Sequence, residues 1–291
     1  MKLFGDRNLS SKKSISCSTC HVAAAGYGSN DPSGITPGID GVRGDRASMR
    51  LVNLIFAKPE DKYFMDGRAS SLEDQVGMPL VNRSEMGNAN IEEVLTRIRS
   101  DDTNYAELVK SAFGIELDSF SEDELRKSLA TFVRSIVVGD SPYDRFRRGD
   151  SSALSPQLRS GYGVFVMNCI GCHGGASLSD NRFHNIGLYP PGADRGRGFI
   201  SANVLVNFAF KTPGLRDLNR RQNKLGHDAK KPIEDVLLSY RIGGTHRLSY
   251  ETIDPSIIGI GISIQEAEDL RAFLKEGLVS RFDAFYNLPL D

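Results

Sequence analysis

All four cysteines of this 291-residue chain fall in two copies of one pentapeptide, Cys17-Ser18-Thr19-Cys20-His21 and Cys169-Ile170-Gly171-Cys172-His173. In each, two thiols stand about one helical turn apart with an imidazole directly behind them. Thiols so placed can form thioethers to the two vinyl groups of one haem, and the adjacent histidine can reach its iron. Cys-x-x-Cys twice also has the spacing of a zinc ribbon, and one copy alone could be a dithiol redox pair. The histidine that follows both copies favours two covalently bound haem c groups. Cys17, Cys20, Cys169 and Cys172 would then be the attachment points, and His21 and His173 axial ligands.

The other histidines are His184, His227 and His246, and none lies between His21 and His173. A second imidazole for the first iron could come only from the other half of the chain, so a vacant sixth position is expected there, as peroxide or dioxygen binding requires. Lys plus Arg (36) nearly balance Asp plus Glu (37), which gives no reason to expect nucleic acid as partner. No stretch approaches the roughly 18 apolar residues of a membrane span. Met1-Lys2-Leu3-Phe4-Gly5-Asp6 also lacks a signal peptide's apolar region. Haem of this type is attached outside the cytoplasm, so the expectation is a periplasmic, secreted chain whose targeting segment has been removed.

The periodicity predicts a mainly α protein. Ser-x-x-Glu capping boxes open helices at Ser121 and Ser263, Ser155-Pro156 opens one that leads into Cys169, and Pro232 can begin another that carries Tyr240. Weaker helical patterns cover 70–77, 90–100 and 103–113. Segments 23–48 and 174–200, rich in Gly, Pro and Asn, each start just after a Cys-x-x-Cys-His. That repetition predicts two cytochrome c-like domains, 1–141 and 142–291, each with a haem-bearing helix and a long loop wrapping the ring. Their boundary falls near Asp140-Ser141-Pro142.

An ordered set of short words resembles the bacterial di-haem cytochrome c peroxidase and MauG family. Leu3-Phe4-Gly5-Asp6 and Leu9-Ser10 precede the first motif. Met65-Asp66-Gly67-Arg68-Ala69, Leu72-Glu73-Asp74-Gln75, Pro79-Leu80 and Glu85-Met86-Gly87 follow it. Ser141-Pro142-Tyr143-Asp144-Arg145-Phe146 and Ile233-Glu234-Asp235-Val236, ending at Tyr240, belong to the second half. The resemblance implies a peroxidatic first haem with His21 proximal and a distal side of Gln75, Pro79 and Glu85. A carboxylate there can move a proton between peroxide oxygens, and an amide can orient the peroxide. It also implies that Tyr240 is the second ligand of the second haem, where peroxidases fed by small redox proteins carry Met. A phenolate oxygen is a hard anionic ligand that favours the higher oxidation states of iron, and it marks the MauG-like branch. That branch includes the methanobactin-associated type, which oxidises a tryptophan of a partner protein. The family further implies a calcium ion held by Asn53 and by backbone carbonyls near 221–224.

Two departures stand out, because the chain contains no Trp. The family's inter-haem Trp is Met65 here, and the Trp that MauG carries just before its second motif is Met167. Tyr63, Phe64 or direct propionate contacts would have to couple the haems, and Tyr162 and Tyr189 are candidates for the outward route. The expectation is a hydrogen-peroxide-dependent oxidase of MauG type that acts on Trp or Tyr of a partner protein through high-valent iron. The alternatives are a peroxidase fed by a small cytochrome or copper protein, and a di-haem electron-transfer cytochrome.

Overall fold

Helices of this chain begin where a side chain can accept the free N–H groups of a first turn. The computed structural model describes residues 1–190, 192–220, 225–246 and 252–281, the side chains of 102–104 excepted. Its α-helices are α1 (Lys2–Gly5), α2 (Cys17–Cys20), α3 (Leu72–Val81), α4 (Ile91–Arg99), α5 (Asp102–Phe113), α6 (Glu122–Ser135), α7 (Pro142–Arg147), α8 (Pro156–Asn168), α9 (Arg197–Ser201), α10 (Ile233–Arg241) and α11 (Ile264–Ala272). Ser71 caps α3 by accepting from Asp74 N–H, and Asn90 caps α4 by accepting from Glu93 N–H. Ser121 with Glu124 and Ser263 with Glu266 form the two expected boxes. Such a cap contributes about 1 kcal/mol. Ser141-Pro142, expected as a boundary, also starts a helix: Ser141 and Asp144 cap each other at the head of α7. The first haem motif departs from expectation too, because it forms a single turn of its own, α2, whereas Cys169 closes the much longer α8.

Strand is confined, among the described residues, to the antiparallel pair β1 (Phe183–His184) and β2 (Phe210–Lys211). The protein is mainly α, as the periodicity predicts. One buried apolar cluster draws its residues from 143–278 and two others from 4–138.

The halves repeat one another in detail. In both, the helix before the haem motif packs an aromatic ring on the last helix, Phe4 on Phe132 with centroids 4.7 Å apart and Phe165 on Phe273 at 5.4 Å. A Cβ at Gly161 would lie 2.0 Å from the Asp269 carbonyl oxygen, so glycine is what lets α8 cross α11 so closely. In each half a buried left-handed Asx residue, beyond the wrapping segment, then binds the chain that follows the last helix. Asn53 (φ 61°) donates its backbone N–H to Ile136 O and accepts Val138 N–H at Oδ1, 2.8 Å. Asp217 (φ 53°) donates to Leu278 O and accepts Ser280 N–H at Oδ1, 2.6 Å. Both side chains are buried, so each clamp joins two distant segments where water cannot substitute.

Candidate haem sites

The two motifs close the same turn, with His21 N–H bonded to Cys17 O (2.9 Å) and His173 N–H to Cys169 O (2.8 Å). Each imidazole is then fixed through Nδ1, His21 by the Tyr27 carbonyl (3.1 Å) and His173 by the Leu178 carbonyl (3.2 Å). Burial holds both rings below the ordinary histidine range and therefore neutral, while those carbonyls pull the other way. A neutral, oriented imidazole is the form that ligates iron.

Each motif opens on its own cavity. The first, of about 930 Å³, is lined by Cys17, Cys20, His21, Gln75, Pro79 and Glu85 among others. The second, of about 250 Å³, is lined by Cys169, Cys172, His173 and Tyr240 within a largely aliphatic and aromatic wall. The cysteine pairs therefore stand apart. Among the described residues the only grouping of possible metal donors is Cys172 with Asp180 and His184, which disposes of a four-thiolate zinc ribbon. Burial, chiefly, pushes the Cys17 thiol up to about 12 and those of Cys20 and Cys169 to about 11. The residues present fit one haem c in each cavity.

Helix α3 places Gln75 and Pro79 four residues apart and so on one face, toward the first cavity. Pro79 has no N–H to offer the Gln75 carbonyl. Its own carbonyl accepts Asn82 N–H (3.3 Å) and Met86 N–H (3.2 Å), which folds the chain back and brings Glu85 to the cavity wall. The wrapping loop holds it there: Ile39 N–H donates to Glu85 O at 2.7 Å, and a Cβ at Gly38 would lie 2.2 Å from Ser84 O. Asn82 Nδ2 donates to Glu85 Oε1, 2.8 Å. Burial raises the Glu85 pKa, against the pull of the Arg68 charge and the Asn82 bond. His21 is the only histidine lining this cavity among the described residues.

Tyr240, on α10, shares the second cavity with Cys169 and Cys172, and burial followed by those two thiols pushes its phenol up. His184 and His227 line the same cavity but are engaged elsewhere. His184 stands between Asp254 (2.5 Å) and Asp180 (3.0 Å), and His227 stacks on Phe210 with centroids 4.0 Å apart. His246 donates its backbone N–H to Gly187 O.

Met65 lines both haem cavities and a smaller one of about 120 Å³ between them. Of its neighbours, Phe64 lines only the first cavity, and Tyr63 lines none of the three. Met167 is 82% exposed and also lines none, and Tyr162 packs among Tyr143, Phe146 and Phe273. Asn53, at the edge of the small cavity, uses Nδ2 and Oδ1 on the backbone of Val138. The charged residues lining that cavity are Arg50, Lys211 and Arg216. No Asp or Glu is among the described residues that line this cavity, and the carbonyls expected near 221–224 lie outside the described residues.

Two residues that join the halves beside the cavities carry no sequence signal. Arg46 clasps Asp194 through Nε (2.7 Å) and Nη2 (3.0 Å) and also meets the buried Asp66, so it ties the two halves together beside the first cavity. Lys211 is buried between the halves with Nζ donating to Lys62 O, and burial lowers its pKa to about 8 against the pull of Asp61.

The family model described as di-haem cytochrome c peroxidase matches residues 1–152. The chain is 36% identical over 280 residues to methylamine utilization protein MauG of Methylorubrum extorquens, covering 94% of this chain and 75% of that protein. The chain belongs to the di-haem cytochrome c peroxidase family. It is accordingly a haem-dependent, peroxide-using oxidoreductase with two c-type haems. This di-haem peroxidase relative is also 31% identical to cytochrome c peroxidase Ccp of Escherichia coli, over 87% of this chain and 54% of that one. Its fold matches the crystal structure of a MauG-like protein associated with microbial copper homeostasis, with a TM-score of 0.85 and 24% identity over 99% and 90% of the two chains. No helix among the described residues is long and apolar enough to cross a membrane.

Proposed function

We propose that this chain is a hydrogen-peroxide-dependent oxidase of the MauG type that withdraws electrons from Trp or Tyr side chains of a partner protein. The observation that carries the reading is Tyr240, a phenol in the second cavity at the position where peroxidases fed by small redox proteins resemble one another in carrying Met. Bound haem supplies the redox-active iron in each cavity, held by the two cysteine pairs with His21 and His173 proximal. In the first cavity, Glu85 takes and returns a proton at its carboxyl oxygens, and Gln75 offers its amide N–H to orient the oxidant. Pro79 presents a ring and no N–H, so it adds no competing donor. In the second, Tyr240 would offer its phenol oxygen to the haem iron as a ligand besides His173. His173 is buried and His21 part-buried, so a protein substrate stays outside and yields electrons through the intervening chain.

The reading includes domains 1–141 and 142–291, a periplasmic location, and calcium at Asn53, for which the metal content of the purified protein is the test. Rapid mixing of the diferric holoprotein with peroxide tests the function. The expected result is a long-lived optical change, with a peroxide-dependent mass change in a partner protein, sought first among the products of neighbouring genes. Rapid return of the spectrum with reduced small cytochrome and no modified partner gives the peroxidase instead. No optical change leaves an electron-transfer cytochrome. Replacing Tyr240 by Phe is expected to alter the second haem's spectrum alone, and an unchanged spectrum removes the ligand assignment.

A further inference from the structure

Tyr189, Phe210 and His227 form a three-ring cluster in the wall of the second cavity. Tyr189 and His227 have centroids 4.2 Å apart, and Tyr189 meets Phe210 edge-on at 5.8 Å. The cluster reaches back toward the first cavity. The Arg46 guanidinium lies 5.9 Å from the centre of the Phe210 ring, and His227 Nε2 is 3.8 Å from Asp194 Oδ2, both Arg46 and Asp194 being residues of the first cavity's wall. It therefore lies at the inter-haem boundary of a chain with no indole.

The Tyr189 hydroxyl is set up for proton exchange. It donates to Asp228 Oδ1 at 3.2 Å and accepts His227 N–H at 3.1 Å. Gly226 (φ +85°) makes room for it, since a Cβ there would lie 2.1 Å from Tyr189 Oη. Asp228 is half-exposed, so a proton placed on it sits at the edge of the protein. Burial, then the Asp228 charge, keeps the phenol protonated at neutral pH. Losing an electron without the proton would leave a buried cation, which is costly.

We propose that Tyr189 is a redox-active residue that relays oxidising equivalents from the peroxide-oxidised haems toward the surface. In the forward step the Tyr189 O–H bond breaks, its proton forms an O–H bond on Asp228 Oδ1, and its electron reduces the oxidised haem system by one equivalent. The neutral phenoxyl radical then takes one electron from the outside donor, and the proton returns from Asp228.

The inference rests on the peroxide-oxidase reading, and one experiment separates the two. Holoprotein grown with ring-deuterated tyrosine is mixed with peroxide without partner, and the optical and electron paramagnetic resonance spectra are followed together. A tyrosyl signal narrowed by the deuterium and lost in Tyr189→Phe is the expected result. In Asp228→Asn, which preserves the shape of the side chain, its formation should slow by on the order of 10²-fold, the lower end of what a positioned base contributes. A normal optical change with no tyrosyl signal, or with one unaltered in both variants, overturns the relay while the oxidase reading stands. No optical change overturns both. The Asp228→Asn arm keeps the proposal testable if Tyr189→Phe fails to take up haem.

Discussion

The two haem cavities share a grip and differ in what faces it. Both motifs close the same turn, and both histidines are fixed at Nδ1 by a backbone carbonyl. Besides that grip, the wall of the first cavity, of about 930 Å³, carries a carboxyl and a carboxamide, and that of the second, of about 250 Å³, a phenol. The same grip on the histidine thus meets different side chains in the two cavities. The roomy side can admit a reactant together with a group that handles its proton, whereas the tight side favours a fixed ligand. Distance along the chain does not separate these roles; the helix that borders the cavity does, α3 with its proline-broken end in one half and α10 in the other.

Replacing Glu85 by Gln should sharpen this contrast most. The amide keeps the shape and the bond from Asn82 but cannot take a proton. The rate of the optical change with peroxide should fall by about 10²–10⁴-fold, the usual contribution of a positioned acid or base. The second haem's resting spectrum should stay as it is. Because burial raises the Glu85 pKa, the carboxylate needed as base is lost as pH falls through a value above the ordinary range for glutamate. The wild-type rate should drop there, and the variant's should not. A variant as fast as wild type, or one with the same pH limb, would show that the two cavities do not differ in proton handling.

The paired clamps test whether the likeness of the halves is energetic as well as geometric. Asn53→Ala removes the bond that Nδ2 gives Val138 O (3.0 Å) and the one that Oδ1 takes from Val138 N–H (2.8 Å). Stranding buried backbone groups costs about 1–3 kcal/mol each, so a loss of about 2–6 kcal/mol in unfolding free energy is expected. Asp217→Asn keeps an acceptor for Ser280 N–H but gives up the charge that faces Arg220 Nε at 3.9 Å, and should cost about 1–2 kcal/mol, less than Asn53→Ala. Denaturant unfolding of the holoprotein reads both. Equal losses would mean that Asp217 contributes through its charge, and the halves would then be held together differently.

What the sequence reveals and what it conceals divide along the range of the interactions. The haem motifs and the serine caps operate within three or four residues, so Ser121 with Glu124 and Ser263 with Glu266 are legible without coordinates. Ser141-Pro142 carries the same local signal as Ser155-Pro156, and its neighbour Asp144 completes the cap. By contrast Arg46 meets Asp194 across 148 positions and Asn53 meets Val138 across 85. No periodicity encodes such pairs. A faint clue exists in Leu51-Val52-Asn53-Leu54 and Leu215-Arg216-Asp217-Leu218, where leucine, a free position, an Asx residue and leucine recur; only the fold shows that both Asx residues do the same work. Glu85, Gln75 and Pro79 were legible through a family's word order, because nothing in their own spacing says that a proline turns the chain back toward α2.

The smallest expected effect concerns His184, which has no counterpart in the wall of the first cavity. Its Nδ1 faces Asp254 and its Nε2 faces Asp180, so both nitrogens donate only in the imidazolium form. Burial pulls its pKa down, but the bonds to Asp254 and Asp180 outweigh burial and raise it above the ordinary value. A raised folded-state pKa means that the folded chain binds this proton more tightly than the unfolded one. The resulting stability is complete below the unfolded value of about 6.5 and fades as pH rises through the raised one. At the acid end the aspartates limit the window, since their lowered pKa values make their contribution fall away as pH drops below the usual carboxylate range. His184→Asn can still give one hydrogen bond, so its deficit should be about 1 kcal/mol near pH 5, shrinking toward pH 8. A deficit independent of pH would mean that the imidazole is neutral between its two carboxylates and that the second cavity's wall is held by packing alone.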